Sequence, residues 1–306
     1  MARLSLGFAP SVSLVLASAF WAAGTVISKE LLSSLSPIAF LVLQLVPSVV
    51  VLWLIVVARG LPSITWRALL PIAALGWLNP GLSYTLSMLG LAHTTASVAT
   101  LLWAAEPALI VAMAWFVLRE PITIRLIALT VAAACGVLLV SGILNLEESA
   151  ASGGYGSFLI LGGVLCCAIY TVLSRRIVTT TDPLFIVAVQ QTVGLLWVVG
   201  IWPVEGSSPG EVLALPLQVL LAGAVSGLMY YVAAFWFYLR GLRSVPASTA
   251  AMFFNLIPVF GIALSYVFLD ERLAMVQWLG AAAILLSVVA LLSGSLQREE
   301  LNARAR

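Results

Sequence analysis

Charge is what this chain has least of. Of its 306 residues, 14 are Lys or Arg and 12 are Asp or Glu, 8% in all, where water-soluble domains carry roughly 25%. So few charges cannot clothe a surface in water, and most of the surface must face lipid. There is one histidine, His93, and there are three cysteines, Cys135, Cys166 and Cys167, each inside an apolar run. That pattern excludes a disulfide framework and a metal site and reads the cysteines as small lipid-buried residues. The long apolar runs contain no Asp, and the chain has no HExxH pattern, no paired intramembrane carboxylates and no Walker-type phosphate loop. An intramembrane enzyme needs a nucleophile, a base or a metal cluster, and an ATP-driven pump needs a phosphate cradle. Neither class fits, and no cofactor is expected. No basic cluster invites nucleic acid.

What the chain has is apolar length: 62% of its residues are hydrophobic and its mean hydropathy is +1.15. A helix crossing a bilayer needs about 20 mainly apolar residues. Ten such segments can be marked, at 11–31, 37–58, 67–89, 94–118, 122–142, 156–177, 184–203, 212–239, 246–269 and 274–294. The runs are too long and too continuous for barrel strands. Ala17-Ser18-Ala19 offers a signal-peptide cleavage pattern, but Arg3 is the only basic residue before it and the apolar run continues past it. The expected fold is therefore an all-α integral membrane protein of ten transmembrane helices. Threading ten spans puts Arg3, Arg59, Arg67, Arg119, Arg125, Arg175, Arg176, Arg240, Arg243, Arg298, Arg304 and Arg306 on one side, and Lys29 and Arg272 on the other. The positive-inside rule makes the first side cytoplasmic, with both termini there and the chain in the cell's inner (plasma) membrane.

The two halves resemble each other. Shifted by 151, "GLAHTTASVATLLWAAEPALIVAMAWFVLREP" (90–121) lies on "GLRSVPASTAAMFFNLIPVFGIALSYVFLDER" (241–272), matching Gly90/Gly241, Ser97/Ser248, Pro107/Pro258 and Glu120/Glu271 among others. Shifted by 146, "TVISKELLSSLSP" (25–37) lies on "TVLSRRIVTTTDP" (171–183), and Gln44 on Gln190. The chain divides into a first five-helix repeat (1–142), an extracytoplasmic linker (143–155) and a second five-helix repeat with a short cytoplasmic tail (156–306). Five is odd, so the second repeat enters the membrane inverted. Inverted repeats mark secondary transporters, with the substrate held near mid-membrane between the halves.

The stretches "FWAAGTVISKELLSSLSPIAF" (20–40), "EPALIVAMAWFVLREPIT" (106–123) and "PVFGIALSYVFLDERL" (258–273) resemble the EamA-type members of the drug/metabolite transporter superfamily, and the resemblance covers essentially the whole chain. It implies two inverted five-helix repeats around a central cavity lined mainly by helices 1, 3, 4, 6, 8 and 9. It also implies efflux or exchange of small metabolites, amino acids or drugs. Many relatives carry an Arg early in the second helix where this chain has Gln44, so no anion-binding role carries over from that position.

Within the spans, away from their ends, Glu106 is the only acid or base. A charge at a helix centre costs about 2.5–3.5 kcal/mol on insertion scales, and Glu106 is too far from either end to snorkel. It must face the bundle interior or a wet cavity, either as a protonated acid or as a carboxylate paired with a cationic ligand. The bland alternative is a protonated acid that hydrogen-bonds between helices. Its repeat partner is Ile257, so the fold's symmetry does not demand the charge. Trp103 lies one turn before it. Pro107 and Pro258 are expected mid-helix, as kinks or a hinge pair. Trp21, Thr25 and Ser28 form a stripe on the first segment, echoed by Tyr170, Thr171 and Ser174 on the sixth. Asn79 and Ser83 make one stripe on the third segment, and Trp77 and Tyr84 another. Tyr231, Ala234 and Tyr238 share a face of the eighth, with Tyr230 beside it, and Asn255 precedes Pro258 by a turn. The expected substrate-binding set is Glu106, Trp103, Trp21, Asn79, Tyr84, Tyr170, Tyr231 and Asn255. The small-residue segments 129–142 and 279–294 read as scaffold or dimer surface.

The expected function is a secondary transporter, not an enzyme. It exports or exchanges small metabolites by alternating access, amino acids or related amphipathic and aromatic compounds first. The alternatives are proton-coupled efflux of lipophilic organic cations and a lipid-carrier flippase. The expected partners are a small-molecule substrate, the bilayer and protons as a coupling ion, with the chain a monomer or weak dimer.

Overall fold

The structure, a computed structural model, describes residues 8–31, 35–91, 93, 99, 102–140, 154–205, 209–268 and 274–304. All regular structure among the described residues is helical. The first half contains α1 (Phe8–Leu31), α2 (Pro37–Arg59), α3 (Trp66–Gly76), a π-type segment (Trp77–Leu82), α4 (Ser83–Leu91), α5 (Glu106–Met113) with a π-type end (Ala114–Leu118), and α6 (Ile124–Val140). The second contains α7 (Gly154–Ile177), α8 (Pro183–Glu205), the short α9 (Pro209–Leu213), α10 (Leu217–Gly227), a π-type segment (Leu228–Ala234) and α11 (Phe235–Leu242). It continues with α12 (Ala247–Met252), a 3-10 turn (Phe253–Asn255), α13 (Leu256–Phe268) and α14 (Met275–Arg304).

Local chemistry sets many of these ends. Pro37 and Pro183 open α2 and α8, where a missing N–H costs nothing and φ is already helical. Asp182 caps α8, its Oδ1 accepting from Leu184 N at 2.9 Å and Phe185 N at 3.3 Å. Seven described stretches are long and apolar enough to cross a membrane: Ala9–Ser28, Pro37–Arg59, Gly154–Ile177, Pro183–Val204, Leu217–Leu242, Ala247–Leu264 and Met275–Ser293. Large apolar side chains such as Leu54, Phe116, Ile124, Phe158 and Leu286 stand exposed on the outside. A bilayer accepts such a surface and water does not, so the chain is a multi-pass membrane protein.

Several expected single helices are interrupted. The third segment breaks at Asn79, whose φ of −148° and ψ of 119° are those of a strand. The fourth breaks at a turn over Ala104 and Ala105, after which α5 begins at Glu106. The bounds of the elements recur along the chain. Adding 146 to those of α1 and α2 gives those of α7 and α8. Adding 151 to Trp66 and Leu91 gives Leu217 and Leu242, the ends of the α10–α11 stretch, and a π-type segment interrupts both stretches at matching places.

Packing joins the halves. The small-residue faces of α6 and α14 lie against each other. A Cβ on Gly136 would sit 2.8 Å from Gly280 O, and one on Gly280 2.6 Å from Gly136 O. These small-residue faces thus pack on one another within the chain. A second close approach occurs twice. Gly76 meets the Gln190 backbone, where an added Cβ would lie 2.5 Å from the carbonyl oxygen, and Gly227 meets the Gln44 backbone even more closely. Only glycine lets these backbones touch.

Candidate functional site

The helix breaks meet around a cavity of about 470 Å³. Nine of the ten residues expected for site and hinge line it: Trp21, Asn79, Tyr84, Trp103, Glu106, Pro107, Tyr170, Asn255 and Pro258. Tyr231 does not. It is only 2% exposed and packs behind the wall, 5.8 Å from Tyr84, 5.0 Å from Tyr230 and 6.3 Å from Phe235 between ring centroids. The segment carrying it is π-type rather than α, and the changed winding sends Tyr230, not Tyr231, to the cavity.

The prolines are not mid-helix kinks. Pro107 lies in the first turn of α5 and Pro258 in the first turn of α13, each just after a break. A proline in a first turn deprives no carbonyl of its helical partner, and it favours starting a helix there. The breaks have nearly equal geometry at positions 151 apart: Ala105 has φ −77° and ψ −15°, Leu256 φ −77° and ψ −19°. Glu106 is the first residue of α5 and half-buried at the cavity. Among the described residues, none forms a hydrogen bond or ion pair with its carboxyl. The alternative of an interhelical hydrogen bond thus has no counterpart among the described residues.

Trp21 anchors an aromatic floor. Its ring centroid lies 5.4 Å from each of Phe235, Tyr238 and Phe254 and 6.5 Å from Tyr230. The polar wall is built by Asn79, which donates from Nδ2 to Cys167 Sγ at 3.2 Å, and by Ser83, whose Oγ donates to Gly163 O at 2.9 Å and lies 3.0 Å from the same sulfur. Asn79 Oδ1 and Trp21 Nε1 are buried and have no partner among the described residues. The Tyr84 and Tyr230 hydroxyls share a hydrogen bond of 3.1 Å, Tyr170 donates to Gln190 Oε1 at 2.9 Å, and Asn255 donates to Met252 O at 3.1 Å.

Two sequence readings change here. Trp77 and Tyr84 do not share a stripe: the strand-like backbone at Asn79 turns Trp77 outward, 45% exposed and edge-on to Trp197 at 5.6 Å. Cys167 is not an inert apolar filler but a cavity residue with polar neighbours. Its place three and four residues before Tyr170 and Thr171 on one helix was the available signal. Gln44 is buried, away from the cavity, and donates from Nε2 to Ser28 Oγ and Ser226 Oγ, both at 3.0 Å.

Most of the lining comes in related pairs. Sixteen of the twenty-one described lining residues form eight pairs offset by 146 or 151: Trp21/Cys167, Thr25/Thr171, Asn79/Tyr230, Tyr84/Phe235, Trp103/Phe254, Ala104/Asn255, Glu106/Ile257 and Pro107/Pro258. The remainder divide by position. Leu91, Ala99 and Val137 come from the first half, and Tyr170 and Tyr238 from the second. Thr25 and Leu91 are exposed and mark the mouth.

Hydrogen bonds tie the α5 stretch and α7 to the segment around α12. Arg119 takes a left-handed conformation (φ 55°) that ends the α5 stretch. The next residue, Glu120, accepts from Ala247 N at 2.8 Å and from Ser248 N at 3.0 Å, and also from Ser248 Oγ, at the start of α12. Arg175 donates to Arg243 O at 3.0 Å and Arg176 to Val117 O at 2.7 Å.

Known proteins resemble this chain in sequence and fold. The model of the EamA-like transporter family matches residues 10–142 and again 154–293. "Uncharacterized transporter YetK" of Bacillus subtilis (strain 168) is 25% identical over 252 residues, covering 79% of this chain and 73% of the relative. An "Uncharacterized transporter" of Archaeoglobus fulgidus is 24% identical over 277 residues, covering 90% of this chain and 96% of the relative. A solved crystal structure with 15% identity superposes with a TM-score of 0.75 over 95% of this chain and 98% of that one, a likeness of fold alone.

Proposed function

The chain belongs to the EamA-like transporter family, and from that premise we propose that this membrane transporter works by alternating access on a site centred at Glu106. It carries small amphipathic or aromatic compounds bearing an ammonium group, by export or exchange. Residues 1–142 and 156–306 act as two inverted five-helix repeats, ten spans in all, joined by an extracytoplasmic linker at 143–155. Both termini lie in the cytoplasm beneath the inner (plasma) membrane. The recurring element bounds, the matched breaks and the paired lining support this reading, as does the family model's double match.

One observation carries the site: a carboxyl at a helix break, facing a cavity, with no partner among the described residues. A polar group is normally paired when lipid surrounds it, so an unpaired one facing a cavity is reserved for cargo or a proton. Trp21, Trp103, Asn79, Tyr84, Tyr170 and Asn255 surround the cargo, and Tyr231 backs the wall. Cargo and proton compete for Glu106, which couples export to proton entry. The breaks before Pro107 and Pro258 let the ends of the broken helices swing while the α6–α14 and α2–α8 seams stay packed.

The test is counterflow in proteoliposomes, with and without an imposed proton gradient. Glu106→Gln keeps shape and hydrogen bonding but not the charge, so it should fold normally, lose proton-driven exchange and lose preference for ammonium compounds. Parental transport by Glu106→Gln, with unchanged proton dependence and preference, would refute the role of this carboxyl.

A further inference from the structure

We propose that the cargo of this cavity is a lipophilic monocation: one ammonium centre on an aromatic or bulky apolar frame, carrying no carboxylate. The inference rests on reading the cavity as the transport site and narrows what that site accepts. Its basis is the charge and hydrogen-bond balance of the walls. Among the described lining residues Glu106 is the only carboxylate, and none is Lys, Arg or His. A zwitterionic amino acid would bring its own carboxylate into an apolar cavity that already holds one, with no cation to offset either desolvation or repulsion.

Neutral donors could soften that cost, but several are engaged. One Asn79 amide N–H goes to Cys167 Sγ, one of Asn255 to Met252 O, and the Tyr170 and Tyr238 hydroxyls donate to Gln190 and Thr171. Tyr84 and Tyr230 spend one hydroxyl proton on each other. The walls leave unspent two acceptors, the Glu106 carboxyl and Asn79 Oδ1, and one buried neutral donor, Trp21 Nε1, but no cation. The faces of Trp21, Trp103, Tyr230 and Phe254 add a negative quadrupole lining, which attracts ammonium centres, quaternary ones included. A cavity of about 470 Å³ has room for an aryl-alkyl amine and N-substituents on it.

Four compounds separate the possibilities, because they share one phenyl-ethyl frame: phenethylamine, its N,N,N-trimethyl derivative, L-phenylalanine and 3-phenylpropionate. Binding to the purified protein is followed by intrinsic tryptophan fluorescence, and transport by counterflow in proteoliposomes. The two cations should bind at least tenfold more tightly than phenylalanine, and phenylpropionate should not bind. Glu106→Gln should weaken the cations at least tenfold and leave phenylalanine unchanged, while Glu106→Asp, which keeps the charge, preserves the order. The parental protein alone decides the point if a variant fails to fold. Phenylalanine binding as tightly as phenethylamine overturns the proposal, and so does failure of both cations to bind. Counterflow of phenylalanine that depends on Glu106 would sink the cargo class while leaving the transporter site standing. Tight cation binding without counterflow would do the reverse.

Discussion

Glu120 ties the end of the α5 stretch to α12, and on the proposed alternating-access reading removing it should open the cavity to that side. Its carboxylate takes up the first two N–H groups of α12 and the Ser248 hydroxyl. A hydrogen bond to a charged group is worth about 1.5–3 kcal/mol when buried. Glu120 is only partly buried, and water can replace part of each bond, so the loss resembles that of a helix N-cap, about 1–2 kcal/mol. Since 1.4 kcal/mol is a factor of about ten, Glu120→Ala should raise the population open at the Glu120 end about tenfold. The reporter follows from the offset. Ala99 lines the mouth, and 151 residues later stands Ala250, fully buried near the latch. The proposed exchange of roles would bring Ala250 to Ala99's place in the opposite access state. An Ala250→Cys reporter without the native cysteines should therefore react slowly with a membrane-impermeant maleimide, and about tenfold faster once Glu120→Ala is added. Ser248→Ala, which leaves the backbone bonds, should accelerate it less. An unchanged labelling rate in a folded Glu120→Ala protein would refute both the latch and the exchange of roles between the halves.

The two prolines start helices beyond breaks, so Pro107→Ala with Pro258→Ala should let both helices run through, leaving a folded protein with slowed counterflow; parental exchange kinetics would reduce the breaks to packing features. Gly227→Ala forces a Cβ into the Gln44 backbone and should cost about 1–3 kcal/mol as overpacking, read as a lowered Tm in detergent, with an unchanged Tm refuting the close approach. Cysteines introduced at Ser149 and Arg304 should label from opposite sides of the membrane, and same-side labelling would remove the inverted arrangement.

Much of the scaffold was legible because duplication writes it twice. A break or an end that recurs 146 or 151 residues later is hard to mistake, and the starts at Pro37 and Pro183 follow from proline chemistry alone. The cavity residues were legible where helical spacing was regular, as for Trp21, Thr25, Tyr170 and Thr171. Spacing failed where the backbone leaves the α-helix. The strand-like Asn79 separated Trp77 from Tyr84, and the π-type winding at Leu228–Ala234 exchanged Tyr231 for Tyr230. Neither departure has a pattern in hydropathy, since the side chains around it stay apolar. Cys167 escaped for a different reason: its type suggests apolar filler, and only the approach of Asn79 and Ser83 gives its sulfur polar company.

The symmetric scaffold also shows where specificity resides. Paired positions such as Pro107/Pro258 and Thr25/Thr171 carry the same residue, as the proposed motion of both halves would require. Chemistry sits where the pairs differ. Glu106 faces the cavity opposite a partner, Ile257, that lines it too but cannot hold charge. Tyr170 lines the floor where the first half has Gly24, whose lack of a side chain instead admits the Tyr230 ring, with an added Cβ only 3.0 Å from the Tyr230 Cβ. A carrier whose two halves trade places must keep its moving parts alike, yet it must recognise one cargo in both states. A single carboxyl near the centre of the breaks meets both demands, because the cargo-binding charge need not move when the halves exchange roles. Placing a second carboxylate at Ile257 would set two like charges across one apolar cavity, and one would have to bind a proton for the pair to coexist. The pairing of Glu106 with Ile257 avoids that conflict and leaves one charge for one cargo.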